Sequence, residues 1–405
     1  MAVTVDEALS LIFEHVKPKS HLLLPIELAL GHVLAEEVIA VHNLPPFDNS
    51  AMDGYAVKAG DAGKSLDCAH TIFAGDKEEI RLQDRNCVKI MTGARIPHGC
   101  EAIVPIEDAV VTGNKITMPD IILPAQHIRL TGEDIQSGDR LLEKGVRLHA
   151  HQISLLASQG ISQVKVYKKP RVALFASGSE LKMHFEQVTD YQLYNTNTPT
   201  ITARCQELGC EVQFIGTARD SLECIHTHIE SALDSDLIIT SGGVSVGDAD
   251  YTKEAFSAFD YTNIFEKIEI KPGKPTTFGR IGGTYVLNLP GNPLAAALIF
   301  EIFGQSVINA LSAAEEKYLS TLQAKLNGTY HSKLGRHTLV PGFYDGEYFT
   351  VSDKYAPGMV SPLAKSNGLI FVDASVSDLD AGAVVKVIPT RFSFNSSEAK
   401  SLFTK

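Results

Sequence analysis

The sequence predicts an α/β multidomain protein built around a doubly wound, mostly parallel sheet. At 405 residues the chain is too long for a single hydrophobic core. Apolar, β-branched runs alternate with helical segments between residues 169 and 312, as in parallel sheets covered by helices on both faces. The flanking regions carry short strand-like runs, which indicate smaller β domains.

Charge and composition exclude several classes of protein. The chain has 36 basic and 48 acidic residues, a formal net charge of -12, which argues against a general binder of nucleic acid or anionic membrane. No signal-peptide pattern and no apolar run of transmembrane length are evident, and the six cysteines form no CxxC pair. We therefore expect a cytoplasmic protein.

The first 168 residues predict a helical domain interrupted by a β module. Helical spacing of apolar residues predicts helices over 5–16 and 26–40 and again within 141–160. Short β-like runs fill the region between them. The predicted domains are therefore a helical N-terminal domain (1–45 and 135–168) and an inserted β domain (46–134).

Residues 169–312 predict the central α/β domain, and 318–392 predict a C-terminal β domain. The expected strands are 171–176, 211–217, 237–240, 265–270 and 285–289, and the expected helices are 198–207, 222–233, 251–259 and 293–311. In such sheets the ligand crevice lies beyond the carboxyl ends of the strands. Polar clusters follow several of these strands, which predicts a site at that edge.

The strand at 237–240 ends in Ser241, Gly242 and Gly243, whose paired glycines allow a sharp turn with amides exposed to phosphate. Asp248 and Asp250 follow and offer oxygens suited to Mg²⁺. Judged on the two glycines alone, an ordinary strand-to-helix loop with surface acids is the favoured interpretation, and the neighbouring motifs reverse that preference.

Glu180, Asp220 and Asp250 each follow a predicted strand of the same sheet. Three carboxylates at one crevice repel each other unless a cation lies among them, so their co-location predicts a Mg²⁺ site. Each acid by itself is also typical of a helix cap or a solvated side chain.

Two proline-rich segments predict an anion pocket. Lys271 and Lys274 lie on a stiff KPGKP loop, with Lys267 shortly before it, and such a rigid dication suits an oxyanion. The segment 289–293 (LPGNP) ends the last strand, where Asn292 and Pro293 are typical of a helix start that presents amides to an anion. A solvated turn and a purely structural helix cap are the alternatives.

The inserted module carries two further polar turns. Residues 48–56 form a loop with two acids, an amide and a hydroxyl, and residues 129–135 form a charged glycine turn. Loops of this kind carry function more often than a fold requires. An Asx-capped turn is the alternative for the first.

Together these motifs resemble the MoeA family of molybdopterin molybdenumtransferases, which includes the E domain of gephyrin and of its plant counterpart. The matching segments span the chain in order: 48–56 (DNSAMDGYA), 90–94 (IMTGA), 132–135 (GEDI), 241–253 (SGGVSVGDADYTK), 271–275 (KPGKP) and 289–293 (LPGNP). The central domain is then of the molybdopterin-binding type.

The resemblance implies that molybdenum from molybdate is inserted into adenylylated molybdopterin, with Mg²⁺ as cofactor and release of AMP. It also implies a homodimer whose cleft joins the α/β domain of one subunit to the inserted domain of the other. The adenylyltransferase that supplies the substrate is a further possible partner.

The resemblance also implies roles for individual residues. The expected catalytic residues are Asp250, Glu180, Asp220, Asp53, Thr92, Asp134, Lys267, Lys271 and Lys274, of which Glu180, Asp220 and Asp250 hold the metal. The expected substrate-binding residues are Arg129, Ser241, Gly242, Gly243, Asp248, Pro290, Asn292, Pro293, Arg336 and Ser361.

One departure and two alternatives remain. Some family members carry serine where this chain has Ala295, so its molybdate contacts must use other donors. A molybdopterin adenylyltransferase shares the α/β domain and its SGG motif, but lacks the flanking domains and KPGKP. A scaffold built on the same fold is the other alternative.

Overall fold

The computed structural model describes residues 2–242 and 251–391, and for 251–253 the backbone alone. The described part contains three six-stranded sheets and several two-stranded pairs. One large sheet lies in the region of each predicted β-containing domain. This multidomain layout, with a mostly parallel central sheet, confirms the predicted fold class.

The central sheet has four adjacent parallel strands, followed by one strand that runs against both its neighbours. Val172 and Leu174 face one core while Ala173 and Phe175 face the other, because successive side chains of a strand point to opposite faces. In spatial order the strands are Glu211–Ala218, Arg171–Ser177, Leu237–Ser241, Thr284–Leu289, Thr277–Ile281 and Thr262–Phe265.

Helices cover both faces of this sheet, as a doubly wound fold requires. On one face lie Asn197–Glu207 and the long helix that runs from Pro293–Ile299 through a π-helical turn, Phe300–Gly304, into Gln305–Leu311. Leu222–Ala232 and Tyr251–Ser257 lie on the other.

One predicted strand, 265–270, is wrong. Strand Thr262–Phe265 ends where it was expected to begin, and Ile270–Lys271 instead pairs in parallel with the first residues of His337–Tyr344 in the C-terminal domain. Thr277–Ile281, which the sequence pattern did not reveal, occupies the place beside Thr284–Leu289. The backbone groups around Ile268 bond to Val3 and Lys274 instead of to the central sheet.

The N-terminal part is less helical than predicted. Helix Val5–His15 forms, with a capping box between Thr4 and Glu7, but its buried face joins the α/β core. The predicted helix 26–40 is wrong, because only a 3₁₀ turn, Ile26–Leu28, forms before Gly31 adopts a φ of 77°.

Short antiparallel pairs join the two halves of this N-terminal part. His21–Pro25 pairs with Gln163–Tyr167, and Val38–Ile39 pairs with Arg140–Leu142. The later helix is shorter than expected, Ala150–Ser158. Where the inserted module begins and ends, Leu44 and Ile135 exchange both of their backbone hydrogen bonds, so entry and exit of the chain lie side by side.

The inserted module is a β structure, as predicted from its short apolar runs. Its sheet contains, in spatial order, Ala102–Pro105, Gly54–Val57, Asn86–Ile90, Ser65–Ile72, Lys115–Thr117 and Val110–Thr112. Asn49–Ser50 pairs with Ile128–Arg129 beside it, and 3₁₀ turns occupy Ala59–Asp61 and Ile106–Asp108. Separate buried clusters cover its two faces.

The C-terminal domain is a small closed barrel around Val340, Phe349 and Val387. Closure follows because His337–Tyr344 pairs both with Tyr348–Val351 and with the last strand of the ring. The ring continues through Leu322–Leu326, Val384–Pro389 and Gly368–Val372. Smaller elements are Tyr330–His331 paired with Asp378–Leu379, Leu181–Lys182 paired with Leu193–Tyr194, and helix Ser361–Lys365.

Within the described residues, Pro293–Leu311 is the one helix long and apolar enough to cross a membrane, and 89% of its apolar window is buried in the protein. Leu294, Leu298 and Ile302 contribute to the largest hydrophobic core. The apolar composition of this helix therefore reflects its packing in the centre of the fold.

A buried ion pair ties this long helix to Asn197–Glu207. Arg204 donates from Nε to Glu301 Oε1 at 2.7 Å and from Nη2 to Oε2 at 2.8 Å. Burial raises the pKa of the Glu301 carboxyl, and the bonds from Arg204 oppose that shift. Arg204 also contacts the more exposed Glu207. The geometry matches the bidentate pairing of a guanidinium with a carboxylate.

Replacement of Arg204 by methionine leaves the Glu301 carboxylate buried without its partner. We expect Arg204→Met to lower the free energy of unfolding by about 3 kcal/mol or more, measured by urea denaturation. Glu207→Gln is the matched control, since it removes only an exposed partner and should cost less than about 1 kcal/mol. Equal effects of the two substitutions would contradict a dominant role for the buried pair.

Candidate functional site

The carboxyl ends of the parallel strands meet in close backbone contact. Ser177 ends one strand, Ser241 ends its neighbour, and Gly242 follows with a φ of 97°. A Cβ on Gly242 would lie 2.3 Å from the carbonyl oxygen of Ser177, so only glycine fits this turn. Gly242 N donates to Leu289 O at 3.3 Å, which brings the third strand end to the same place.

Two predicted metal ligands follow adjacent strands of this edge. Asp220 Oδ2 accepts from Ser179 N at 2.9 Å, and Asp220 N donates to Ser179 Oγ at 3.2 Å. Glu180 is the next residue after Ser179, and both acids are exposed. Asp220 is thereby fixed beside the loop that carries Glu180.

The remaining predictions for this loop cannot be placed. Gly243, Asp248 and Asp250 lie outside the described residues. Within 2–242 and 251–391, no three potential metal ligands form a cluster. Glu180 and Asp220 nevertheless fit Mg²⁺ by donor chemistry, because this ion is commonly held by one or two carboxylates together with substrate phosphates.

A cleft of about 480 Å³ lies between the α/β domain and the C-terminal barrel. Three of the cations that line it come from two separate segments: Lys271 and Lys274 from one, and Arg336 from the other. Its other walls include Glu269, Pro272, Pro290, Asn292, Ala295, His337, Pro357 and Ala374. The arrangement concentrates positive charge in an otherwise acidic protein.

The backbone of the lysine-bearing loop is held by several contacts away from the cleft. Ile268 N donates to Lys274 O at 3.0 Å, and Thr276 Oγ1 donates to Gly273 O at 2.7 Å. A Cβ on Gly273 would lie 2.2 Å from Cγ1 of Ile299, so this glycine lets the loop lie directly against the long helix. Pairing of residues 270–271 with 337–338 fixes Lys271 and Arg336 on adjoining segments.

The segment 289–293 forms another wall. Pro290 and Asn292 line the cleft, whereas Pro293 opens the long helix and lies outside the described walls. Asn292 occupies the N-cap position, but its side chain makes no capping hydrogen bond. Ala295 lines the cleft as well, so the departure from serine removes a hydroxyl from the pocket itself.

Several predicted residues are absent from the described walls of the cleft. The described walls of the cleft include none of Asp53, Thr92, Arg129, Asp134, Lys267 and Ser361. Lys267 precedes the cleft loop, and its carbonyl accepts from Val3 N. Ser361 begins a short helix of the C-terminal domain, four residues after the cleft residue Pro357.

The polar turns of the inserted module are ordered by paired hydrogen bonds. Asp53 Oδ1 accepts from Thr92 N at 2.7 Å and from Thr92 Oγ1 at 2.8 Å. These bonds hold the pKa of the exposed Asp53 carboxyl below its ordinary value, and the bond from the backbone has the larger effect. Asp48 binds Thr131 in the same way, close in sequence to Arg129 and Asp134. The two clamps thus fix the conformation of two exposed polar turns.

Sequence reasoning did not identify His337 or Glu269 as cleft residues. His337 Nδ1 lies 3.4 Å from Asp373 Oδ2, and hydrogen bonds from Ser375 help to keep the pKa of Asp373 low. The position of His337 directly after Arg336, a predicted substrate-binding residue, could have identified it as a cleft residue. Glu269 carried none, because its segment was assigned to the wrong sheet.

Family models account for most of the chain. Residues 3–160 match the model described as MoeA N-terminal region (domain I and II), and 323–390 match the MoeA C-terminal region (domain IV). Between them, 173–310 match a probable molybdopterin binding domain.

Individual relatives match over nearly the whole length. A "Molybdopterin molybdenumtransferase" of Haemophilus influenzae is 35% identical over 398 residues, covering 96% of this chain and 98% of the relative. A relative of that name from Staphylococcus epidermidis is 31% identical over 412 residues and covers 96% of each chain.

A solved structure, the molybdopterin biosynthesis MoeA protein of Pyrococcus horikosii, has a TM-score of 0.81 and 29% identity, covering 96% of this chain and all of the other. The chain therefore belongs to the MoeA family.

Proposed function

We propose that this protein is a molybdopterin molybdenumtransferase, which inserts molybdenum from molybdate into adenylylated molybdopterin and releases AMP with the help of Mg²⁺. The observation that carries the proposal is the cleft where Lys271, Lys274 and Arg336 converge. Membership of the MoeA family and the names of its relatives support the same reaction.

The cleft suits molybdate because this small tetrahedral dianion needs several fixed cationic donors. Arg336 supplies a planar fork and the two lysines supply point charges. The loop and its partner strand are already ordered, so little conformational freedom is lost on binding. Because the three cations lie around one cleft, their attractions for a bound dianion add together.

The strand-end turn suits the phosphates of the adenylylated substrate. Ser241 and Gly242 form a tight turn, and Ser241 Oγ donates to the carbonyl of the cleft residue Pro290 at 3.3 Å. The phosphate site and the oxyanion cleft are therefore contiguous through this contact. A reacting phosphate could then lie next to the incoming molybdate.

Glu180 and Asp220 would hold Mg²⁺, with Asp250 as the third ligand of the proposal. Bound there, the ion would neutralise charge on the phosphate oxygens during cleavage of the phosphoanhydride link. The chain's own residues orient the two substrates: Asp220 is set by Ser179, and the lysines are set by the 268–276 loop.

A homodimer would complete the site. Asp53, Thr92, Arg129 and Asp134 are absent from the described walls of the cleft in their own subunit. We therefore include in the proposal that a second copy supplies its inserted module to this cleft.

The proposed reaction is tested with purified protein and two substrate sets. With adenylylated molybdopterin, molybdate and Mg²⁺, we expect AMP and molybdenum cofactor to appear together. With molybdopterin and ATP, no ATP should be consumed. Consumption of ATP would favour an adenylyltransferase, and a protein inactive with both substrate sets would favour a scaffold.

Removal of Mg²⁺ by EDTA should stop AMP release, and Glu180→Gln should raise the required Mg²⁺ concentration about tenfold.

Lys274→Ala removes one cation from the oxyanion cleft. We expect the KM for molybdate to rise by about tenfold to a hundredfold, as for loss of one charge-assisted hydrogen bond. Lys386→Ala is the matched control, because Lys386 is exposed on the C-terminal barrel and lies outside the described walls. An unchanged KM for molybdate in Lys274→Ala would place the oxyanion elsewhere.

Mixed subunits test the shared cleft. Asp53→Asn and Lys274→Ala proteins, each inactive or impaired, should regain roughly a quarter of wild-type activity after denaturation and refolding together, since half of the dimers then hold one intact cleft. A mixture of Asp53→Asn with Thr92→Ala should regain none, because both changes affect the same module. No recovery in the first mixture would argue that each cleft is formed within one subunit.

A further inference from the structure

Asn197 joins the two glycine turns of the site through one side chain. Its Nδ2 donates to Ser241 Oγ at 2.6 Å and to the carbonyl oxygen of Gly291 at 2.7 Å. Ser241 belongs to the tight turn at residues 241–242 that is proposed to bind phosphate (the phosphate turn), and Gly291 lies between the cleft residues Pro290 and Asn292. The carboxamide therefore bridges the two proposed halves of the substrate site.

The bridged turns lie close together. A Cβ on Gly291 would lie 3.5 Å from Cα of Gly242, so about the width of one methyl group separates the two turns at this point. Ser241 Oγ donates onward to Pro290 O at 3.3 Å. Asn197, Ser241 and the 290–291 backbone thus form one connected network.

Asn197 is buried, at 9% exposure, but its Oδ1 has no hydrogen-bond partner in the described part of the chain. A buried acceptor left unpaired is destabilising, because it has lost its hydrogen bonds to water without gaining others. Ser177, which lies against Gly242, also has a buried hydroxyl without a described partner. A residue serving only the fold would be expected to satisfy both ends of its amide.

Asn195, two residues earlier, shows what a structural asparagine looks like in the same segment. It is buried at 3% exposure. Its Oδ1 accepts from Thr198 N at 3.1 Å, and its Nδ2 donates to Thr198 Oγ1 at 2.9 Å. Both ends of the Asn195 amide thus serve the start of helix Asn197–Glu207. Its Nδ2 also donates to Thr217 Oγ1 at 3.4 Å, and none of these bonds reaches Ser241 or Gly291.

We propose that Asn197 is a positioning residue. It holds the phosphate turn at Ser241 at a fixed distance from residues 290–292, which form one wall of the oxyanion cleft. This inference rests on the proposed function and deepens it. Asn197 aligns the adenylylated substrate with molybdate, while each substrate keeps its own binding groups. Its loss should therefore slow turnover far more than it weakens either ligand.

The test compares Asn197→Ser and Asn197→Asp with Asn195→Ser in the full-length protein. We expect both Asn197 variants to lower kcat by about tenfold to a hundredfold, because a small misplacement of reacting groups has effects of this size. The Kd for AMP, by calorimetry, and the KM for molybdate should stay within about twofold of wild type. Asn195→Ser should lower the melting temperature yet keep kcat.

A double variant separates positioning from general damage. Ser241→Ala should also lower kcat, and Asn197→Ser/Ser241→Ala should lose no more than the worse single variant, since the two residues act as one unit. Additive losses would overturn the inference. So would a normal kcat in Asn197→Ser, or a fall in melting temperature beyond that of Asn195→Ser in both Asn197 variants. Wild-type protein that lacks turnover would instead refute the proposed function itself.

Discussion

The site depends on a parallel pairing between two residues of the central domain and the C-terminal barrel. Ile270 and Lys271 bond alongside His337 and Thr338, so the lysine loop and Arg336 approach from different domains and still share one cleft. The loop is braced from behind by Ile299 and from the side by Val3. Without this pairing, nothing described here would keep Lys271 and Lys274 at a fixed distance from Arg336.

Local and global charge oppose each other in this protein. A chain with a formal net charge of -12 repels anions at long range, yet it gathers cations where two domains meet. Such an arrangement favours binding through short-range, geometrically specific contacts over electrostatic steering. Glu269 and His337 border the same cleft, and Asp373 lies 3.4 Å from His337, so carboxylates lie close to the cations.

Sequence patterns predicted the elements that depend on local residue patterns. They missed the strands and contacts that depend on residues far away in the chain. Buried strands such as Leu237–Ser241 were recognisable because an apolar β-branched run reports burial on both faces. The strand at 270–271 was assigned to the wrong sheet, since its hydrogen-bond partners lie more than 60 residues away. Lys271 and Lys274 were recognisable from the sequence, whereas Arg336 was expected only from the family resemblance. Nothing in the sequence singled out Asn197 before its bonds to Ser241 and Gly291 were visible.

The neck of the inserted module has a consequence for protein engineering. Leu44 and Ile135 exchange both backbone hydrogen bonds, which is the geometry that a two-residue hairpin closes. Residues between them form a sheet with its own buried clusters. The module could therefore be excised, transplanted or exchanged for another domain by splicing at this neck, while the backbone ends of the host stay where they are.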